Sequence, residues 1–363
     1  MATQIANFSD YAVDASANTG TTAGESDDTQ YWSLDRLKRS YQDYLGTKTA
    51  EVAEQKEARR YRHASQWTDE QIKVFKKRKQ PIVTYNRVGK KIDAVVGLIE
   101  KLKQSPKAYP RTPNEEGAAD LATQVIREVL DENMWKAKSY LVGQDGAMDG
   151  IGGVELLLEP GYVGDPTVGF EKVEVDSFFY DPRSIRLDFS DCRYMGQGKW
   201  LDLDQAREMF HDQAQDIEDA MESGSELSTD SDREKKWFIT DGYVKRVRII
   251  DLWYILNGEW YWVIFCGNTK LMEGQSWLHD EKKKTFCKYL MFSAQVDQDG
   301  DRYGFIRNLK SAQDEINQRR SKALHLLNSR RIIAEQGAFD DLELARREAV
   351  RPDGSNQEQG VRS

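Results

Sequence analysis

The acidic run DQDGDRYG, at residues 297–304, comes closest of any segment to a metal-binding loop. Asp297, Asp299 and Asp301 have the spacing of the first three ligands of a calcium loop. Such a loop requires glycine at its sixth position and an acid at its twelfth, but this chain has Arg302 and Asn308 there. We therefore predict a hairpin turn here and no metal site.

Other residues that could bind phosphate, act as nucleophiles or ligate a metal also lack the arrangement that these functions require. The glycine-rich stretch at 146–155 lacks the Lys-Ser/Thr pair of a phosphate-binding loop and precedes a strand pattern, so we interpret it as a turn. No Ser, Cys or Lys stands in a nucleophile motif, and no histidine has another within helical reach. The sequence therefore predicts no catalytic residue, no metal ligand, no cofactor and no enzyme activity. The histidines concerned are His63, His211, His279 and His325.

The composition is that of a folded protein with a heavily charged surface. Of the 363 residues, 39% are hydrophobic and 31% are charged, and the 9 Trp, 16 Tyr and 13 Phe argue against a largely disordered chain. No apolar run reaches the length of a membrane span, and the N-terminus lacks a signal-peptide pattern. Cys192, Cys266 and Cys287 form no Cys-x-x-Cys pair. We expect a soluble, unsecreted protein with free thiols and no membrane partner.

The net charge of −9 conceals blocks of opposite sign. Residues 1–30 carry five acids and no Lys or Arg, and residues 202–235 carry twelve acids against three bases. Residues 71–111 carry twelve Lys and Arg against two acids. A basic block can bind nucleic acid, but it can equally face solvent or the acidic surface of another subunit. The block alone does not choose between these alternatives.

The elements that would position these residues are helices first and strands later. The pattern predicts helices from Ser33, from Thr68 to Pro81, from Asn86 to Ser105, and over residues 114–150. Strand patterns then fill residues 153–203 and 243–308, separated by an acidic helix from 202. Asn257-Gly258 predicts a tight hairpin. The fold class is therefore α+β, with N-terminal helices and an antiparallel β-rich body before a final long helix.

The final helix, LKSAQDEINQRRSKALHLLN at 309–328, carries only a narrow apolar stripe. Polar residues crowd beside that stripe, and Arg319 and Arg320 stand where it should continue. From Lys310 to Arg331 there are six bases against two acids. The apolar stripe consists of Leu309, Ala312, Ile316, Ala323 and Leu327.

Three stretches, in order, resemble the portal proteins of tailed phages, particularly short-tailed ones. The first is ARRYRHASQW…RKQPIVTYNRVGKKIDAVVG at 58–97, the second DSFFYDPRSIRLDFSDCRYM at 176–195, and the third GDRYGFIRNLKSAQDEINQRR at 300–320. In the second, Cys192 stands where the family usually has Ala. The resemblance covers roughly residues 35–350.

The resemblance implies a non-enzymatic subunit of a ring, usually of twelve copies, at one vertex of the capsid. Double-stranded DNA passes non-specifically through the central channel during packaging and ejection, and the ring docks the terminase motor and tail adaptor proteins. It implies a virion protein that assembles in the host cytoplasm. Helix residues in such a ring could face the channel or a neighbouring subunit, or be solvated. The candidates are Lys310, Gln313, Asn317, Arg319, Arg320, Lys322, Arg330 and Arg331.

The predicted organisation follows the family's parts. We assign 1–30 to a flexible acidic arm, 31–308 to a wing-like α+β body, 309–331 to a stem helix, and 332–363 to a partial clip and disordered tail. The family normally continues with a return helix and more of the body, so the hypothesis is a chain truncated after the start of the clip. Two alternatives remain open: a nucleic-acid-binding or processing protein that uses residues 71–111, or a virion structural adaptor.

Overall fold

The computed structural model describes residues 32–102, 105–160, 166–215, 217–218, 238–241 and 244–328, together with residue 343. Within these residues the fold is α+β with antiparallel sheets, which confirms the predicted class. The helices are α1 (Leu34–Thr47), α2 (Thr49–Arg62), α3 (Asp69–Lys77), α4 (Val88–Leu102), α5 (Glu116–Glu132), α6 (Trp135–Asp149), α7 (Leu203–Met209) and α8 (Ile306–Asn328).

The strands follow α6 and end just before α8. They are β1 (Ile151–Pro160), β2 (Pro166–Lys172), β3 (Phe178–Tyr180), β4 (Tyr194–Asp202), β5 (Phe238–Asp241), β6 (Val244–Leu256), β7 (Glu259–Cys266), β8 (Thr269–Gln275), β9 (Tyr289–Ser293), β10 (Gln295–Val296) and β11 (Arg302–Tyr303). No helix in the described ranges combines the length and the apolar composition needed to cross a membrane.

The chain divides into two compact units. The body unit contains Met1–Arg59 and Ile92–Ile306, and the helix unit contains Arg60–Lys91 and Arg307–Ser363. The sequence had assigned residues 60–91 to the body, but their contacts group them with α8, for the reason given below. The predicted acidic arm at 1–30, the clip and tail at 332–363, and most of the acidic segment at 202–235 lie outside the described residues.

The larger sheet of the body unit has the order β3-β4-β6-β7-β8, and β5 also pairs with β6. Alternate residues of β6 point to opposite faces because a strand has a side-chain period of two. Ile250 and Leu252 join Leu37 of α1 in the main core, whereas Val247 and Ile249 join a second core beneath α7. Both faces of this sheet are therefore covered.

The smaller sheet has the order β2-β1-β9 and packs against α6. Helix α6 ends at Gly150, which has a φ of +83°. A Cβ at this position would lie 2.3 Å from the carbonyl carbon of Tyr303, so only glycine permits this approach of two backbones. The stretch at 146–155, which the sequence predicted to be a turn, is a turn only at Gly150, because residues 146–149 belong to α6 and residues 151–155 to β1.

Several local predictions are confirmed. Asn257 and Gly258 have φ values of 53° and 87° and connect β6 to β7 as a two-residue hairpin. The Asp297 side chain accepts backbone hydrogen bonds from Asp299 and Asp301 at 3.0 and 2.8 Å, which closes the turn between β10 and β11. Thr68 caps α3 in a reciprocal capping box with Gln71.

Candidate functional site

Helix α8 buries polar side chains where an ordinary amphipathic helix buries apolar ones. Gln313 and Asn317 are 2% exposed and Ser321 is 1% exposed. Their spacing of four residues places all three on one face of the helix. The extended residues 81–87, which follow Pro81, lie against this face.

The three side chains accept hydrogen bonds from alternate backbone N–H groups of the extended segment. Four residues of helix rise about 6 Å, and two residues of extended chain advance roughly 6.6 Å, so the two periods nearly match. We call this arrangement the side-chain ladder. It consists of Val83 N–H to Ser321 Oγ (3.0 Å), Tyr85 N–H to Asn317 Oδ1 (2.9 Å) and Arg87 N–H to Gln313 Oε1 (2.9 Å).

A second layer of amides supports the ladder from the α2–α3 connection. The Asn317 side-chain amide donates to Gln66 Oε1, and the Gln66 amide donates to Asn86 Oδ1 at 3.1 Å. The Asn86 amide then donates to the carbonyl of Arg62 at 2.9 Å. Because almost every polar atom has a partner, this buried network specifies one packing of α8 on residues 60–91. It is the physical reason why these residues belong to the helix unit.

The predicted apolar stripe of α8 is not its buried face. Leu309 and Ile316 are half-buried, whereas Ala312, Ala323 and Leu327 are exposed, the last at 81%. The stripe lies on the flank of the helix, beside the polar face that contacts the extended segment. We define Ala312, Ala323 and Leu327 as the apolar flank of α8.

The candidate residues on α8 fall into three groups. Gln313 and Asn317 are interior members of the ladder within the single chain. Lys310 and Arg320 contact the rings of Tyr61 and Tyr85, at 5.8 and 5.7 Å from the ring centroids. Arg319 and Lys322 form the third group and are exposed, and Arg319 pairs with Glu315. The last two candidates, Arg330 and Arg331, lie outside the described residues.

The basic block at 71–111 includes exposed cations on α3. Lys73, Lys76 and Lys77 are exposed, and Arg78 and Lys79 continue the run beyond the helix. Trp67 anchors this end of the helix unit, because its ring packs edge-on against Phe75 and its Nε1–H donates to Thr84 Oγ1 at 3.1 Å. A rigid support therefore holds a positively charged surface.

In the body unit, two of the motifs that resemble the portal family meet at Arg302, which is 1% exposed. Its guanidinium carbon lies 4.2 and 4.0 Å from the ring centroids of Tyr180 and Phe189. Its N–H groups donate to Ser293 Oγ at 2.6 Å, to Ser184 Oγ at 2.8 Å and to two backbone carbonyls. The arginine therefore joins DPRS at 181–184 to DRYG at 301–304.

Glu51 of α2 balances part of this buried charge. It accepts hydrogen bonds from the backbone N–H of Arg302 at 3.0 Å and from the Tyr180 hydroxyl, and it lies 3.6 Å from Lys48. Burial raises the pKa of Glu51, although these donors and cations oppose the rise. Lys48 also pairs with Asp301 at 2.6 Å. The cluster contains balanced charge inside the protein and holds α2 to the hairpin before α8.

Asp191 closes the loop of the second motif. Burial favours its neutral form, but hydrogen bonds from Ser184 Oγ and from the backbone N–H groups of Ile185 and Arg186 outweigh burial and lower its pKa. The carboxylate therefore acts as a structural acceptor. The residues of this motif therefore determine how the loop folds.

The remaining reactive residue types are not placed for catalysis in the described ranges. Burial raises the pKa of the Cys192 and Cys266 thiols to about 12, and it also raises that of Cys287, so all three are protonated at neutral pH. No cluster of His, Cys, Asp and Glu that could hold a metal occurs among the residues described. In these ranges, the buried polar groups described above join separate segments of the chain.

Comparison with known protein families shows the family of the chain. The model of the phage P22-like portal proteins matches residues 38–359. The chain therefore belongs to the P22-like phage portal protein family, a structural family of the virion capsid. A search of curated proteins found no match.

Proposed function

We propose that this chain is a subunit of the ring-shaped portal at one capsid vertex. The ring forms the channel through which DNA is packaged and ejected, and it docks the terminase motor and the tail adaptor proteins. In this proposal α8 is the stem helix. Family membership supports the general assignment, and the surface of α8 supports the helix's role.

The observation that carries the proposal is that one face of α8 is buried within its own chain while other faces are exposed. The helix uses its polar face to bind the extended segment of its own chain, and other α8 residues are exposed within the part of the chain that the structure describes. One open surface is the apolar flank, which fits a neighbouring subunit because contact removes apolar area from water. The other carries Arg319 and Lys322.

The basic residues of α8 are suited to weak contact with a moving polyanion. Phosphate attraction by lysine and arginine is independent of base sequence and decreases with salt. A channel through which DNA slides requires this kind of weak contact, because tight contacts to the bases would hold the DNA in place. We assign Lys310, Arg319, Arg320 and Lys322 to the channel or the subunit interface, and extend the proposal to Arg330 and Arg331.

The mechanism is passive in this proposal. The chain supplies a conduit and a docking platform, while a separate motor supplies the chemical energy. We propose that the chain has no catalytic activity of its own.

Light scattering of the purified full-length chain tests the role of the apolar flank. We expect a particle whose mass is a multiple of the 41.8 kDa subunit. Ala323→Asp should dissociate it, because the substitution places a charge in the subunit contact. Gln318→Asp puts the same residue on another exposed side of α8 and is the matched control. Equal effects of the two variants would refute the assignment of the flank.

The exposed cations of α3 favour a second candidate function, that of a nucleic-acid-binding or processing protein. This protein would act as a monomer, and its DNA affinity would fall when Lys73, Lys76 and Lys77 are changed to Gln. Each phosphate contact that is removed should reduce the slope of log affinity against log salt by about one. DNA binding by a monomer would favour this candidate, and a ring would favour the portal.

A virion structural adaptor is a third candidate within the same structural class. It would bind the capsid or tail without forming a closed ring around DNA. Particle shape separates it from a portal, because an adaptor need not enclose a central hole.

A further inference from the structure

An arginine-rich pocket lies within the body unit. It is open to solvent, has a volume of about 530 Å³, and lies between the first half of α1 and the chain around β3 and β4. Four arginines line it: Arg36, Arg39, Arg183 and Arg193. Arg36 stacks on the ring of Trp32, which also lines the pocket, at 5.1 Å from the ring centroid.

The pocket has an excess of positive charge. Across the described ranges, no carboxylate lies within ion-pair distance of Arg39, Arg183 or Arg193. The two acids of the pocket have other partners: Asp181 accepts the backbone N–H of Arg183 at 3.1 Å, and Asp43 accepts the hydroxyl of Thr47 at 3.4 Å.

Many other arginines of this unit differ in this respect. Arg59 pairs with Asp149, Arg207 with Glu218, and Arg246 with Asp202. The pocket therefore brings together three exposed arginines without carboxylate partners in a chain whose net charge is −9. Arginine is well suited to bind carboxylates, because its planar fork can donate two parallel hydrogen bonds to one of them.

We propose that the pocket binds the acidic residues that precede α1 in the same chain. Residues 1–30 carry five acids and no base, and three of the acids lie in the stretch ESDD at 25–28. The ligand class is thus a carboxylate-rich peptide, and its source is the chain's own N-terminal segment.

Distance along the chain supports this occupant. Asp28 is four residues before Trp32 and can lie at most about 14 Å from it. Arg36 and Arg39 follow Trp32 by four and seven residues, and a helical rise over seven residues places Arg39 roughly 10 Å from Trp32. The acids and the arginines are therefore within reach of each other on either side of Trp32.

The tether also favours binding within one chain. A short covalent connection gives the acids an effective concentration in the millimolar range at the pocket, with no loss of translational freedom. Arginine–carboxylate pairs that are weak in isolation can then be occupied. A bound segment would neutralise the pocket and keep it from attracting phosphate groups.

Hydrogen–deuterium exchange of the full-length protein tests the proposal. In wild type, the amides of residues 25–30 should exchange up to about fivefold more slowly than those of an unstructured peptide, because the ion pairs hold the segment against the pocket and limit the access of solvent to its backbone. The protection should disappear in 1 M salt, where charges are screened within about 3 Å. It should not depend on protein concentration if the contact is within one chain.

A triple substitution of the pocket arginines provides the specific test. Changing Arg39, Arg183 and Arg193 to Gln should remove the protection of residues 25–30. The matched control changes Lys282, Lys283 and Lys284 to Gln, which removes the same charge from an exposed loop elsewhere in the unit and should leave the protection intact.

Other outcomes would overturn the proposal. Unstructured exchange rates at 25–30 in wild type, or protection that survives the triple substitution, would show that the pocket does not bind the segment. Protection that increases with protein concentration would place the acids on a second copy. If the triple variant loses affinity for inorganic phosphate while exchange at 25–30 is unchanged, the pocket is a phosphate site.

Discussion

The side-chain ladder predicts an alternating pattern of amide protection in the segment after Pro81. The N–H groups of Val83, Tyr85 and Arg87 donate to α8, whereas those of Ile82, Thr84 and Asn86 make no hydrogen bond in the described structure. Odd-numbered amides should therefore exchange slowly and even-numbered amides quickly. Each rung should also respond to its own helix residue.

The magnitudes follow from the number of bonds that each substitution removes. Ser321→Ala removes one bond, worth about 1 kcal/mol, so exchange at Val83 should accelerate about fivefold. Asn317→Ala removes its bonds with Tyr85, Gln313 and Gln66. These sum to about 3 kcal/mol, so exchange at Tyr85 should accelerate at least about 100-fold.

The assay is hydrogen exchange with single-residue resolution, by fragmentation mass spectrometry or NMR. Gln318→Ala is the control, because Gln318 is an exposed residue of the same helix. It should change exchange in the extended segment less than twofold. Equal protection of odd and even amides would refute the ladder, as would a Ser321→Ala variant in which all three rungs accelerate equally.

Three further predictions concern the body unit. Arg302→Leu should lower the free energy of unfolding by at least about 3 kcal/mol in urea titrations, because it leaves several buried acceptors without a donor. Arg127→Gln, at an exposed site, should change it by less than about 0.5 kcal/mol. Similar effects of the two variants would contradict the role of Arg302 in joining the two motifs. Burial alone would raise the pKa of Glu155, but Lys288 and Lys199 lower it below its usual value, so its stabilisation is full above about pH 4.5 and is lost as the pH falls further. The difference in free energy of unfolding between wild type and Glu155→Gln should therefore become smaller at acidic pH. A difference that does not change with pH would contradict the ion pairs of Glu155 with Lys288 and Lys199. Finally, a thiol reagent at pH 8 should label the three cysteines of the native protein slowly and those of the urea-unfolded protein at once; fast native labelling would show that the thiols are not buried.

Much of the fold follows from local sequence signals. The Asn257-Gly258 pair requires positive φ at both residues and therefore identifies its hairpin without tertiary information. Thr68 with Gln71 similarly identifies the start of α3. These predictions succeed because the decisive interactions join residues that are close in the sequence.

The site was harder to predict, because its contacts join residues more than two hundred positions apart. The sequence made Asn317 and Gln313 candidates for the channel or the subunit interface, since polar side chains on a helix usually face solvent or a partner. In the structure they bond to the backbone of residues 81–87, a segment that is itself neither helix nor strand. The available signal was the combination of polar residues every fourth position on α8 with an extended segment after Pro81.

The apolar stripe shows a related limit of sequence patterns. Periodicity identifies an apolar face but does not say whether that face is covered by the same chain or by another molecule. In this chain the polar face of α8 is the buried one, and Leu327 is exposed. The exposed stripe is the feature that a ring of subunits would cover.

Electron microscopy of the purified full-length protein tests the central claim most directly. The portal assignment predicts closed rings with a central hole wide enough for a DNA duplex, about 20 Å across. Ring images in which α8 lines the hole would support both the function and the role of its basic residues. Monomers at concentrations of several milligrams per millilitre, or closed particles without a hole, would contradict the account.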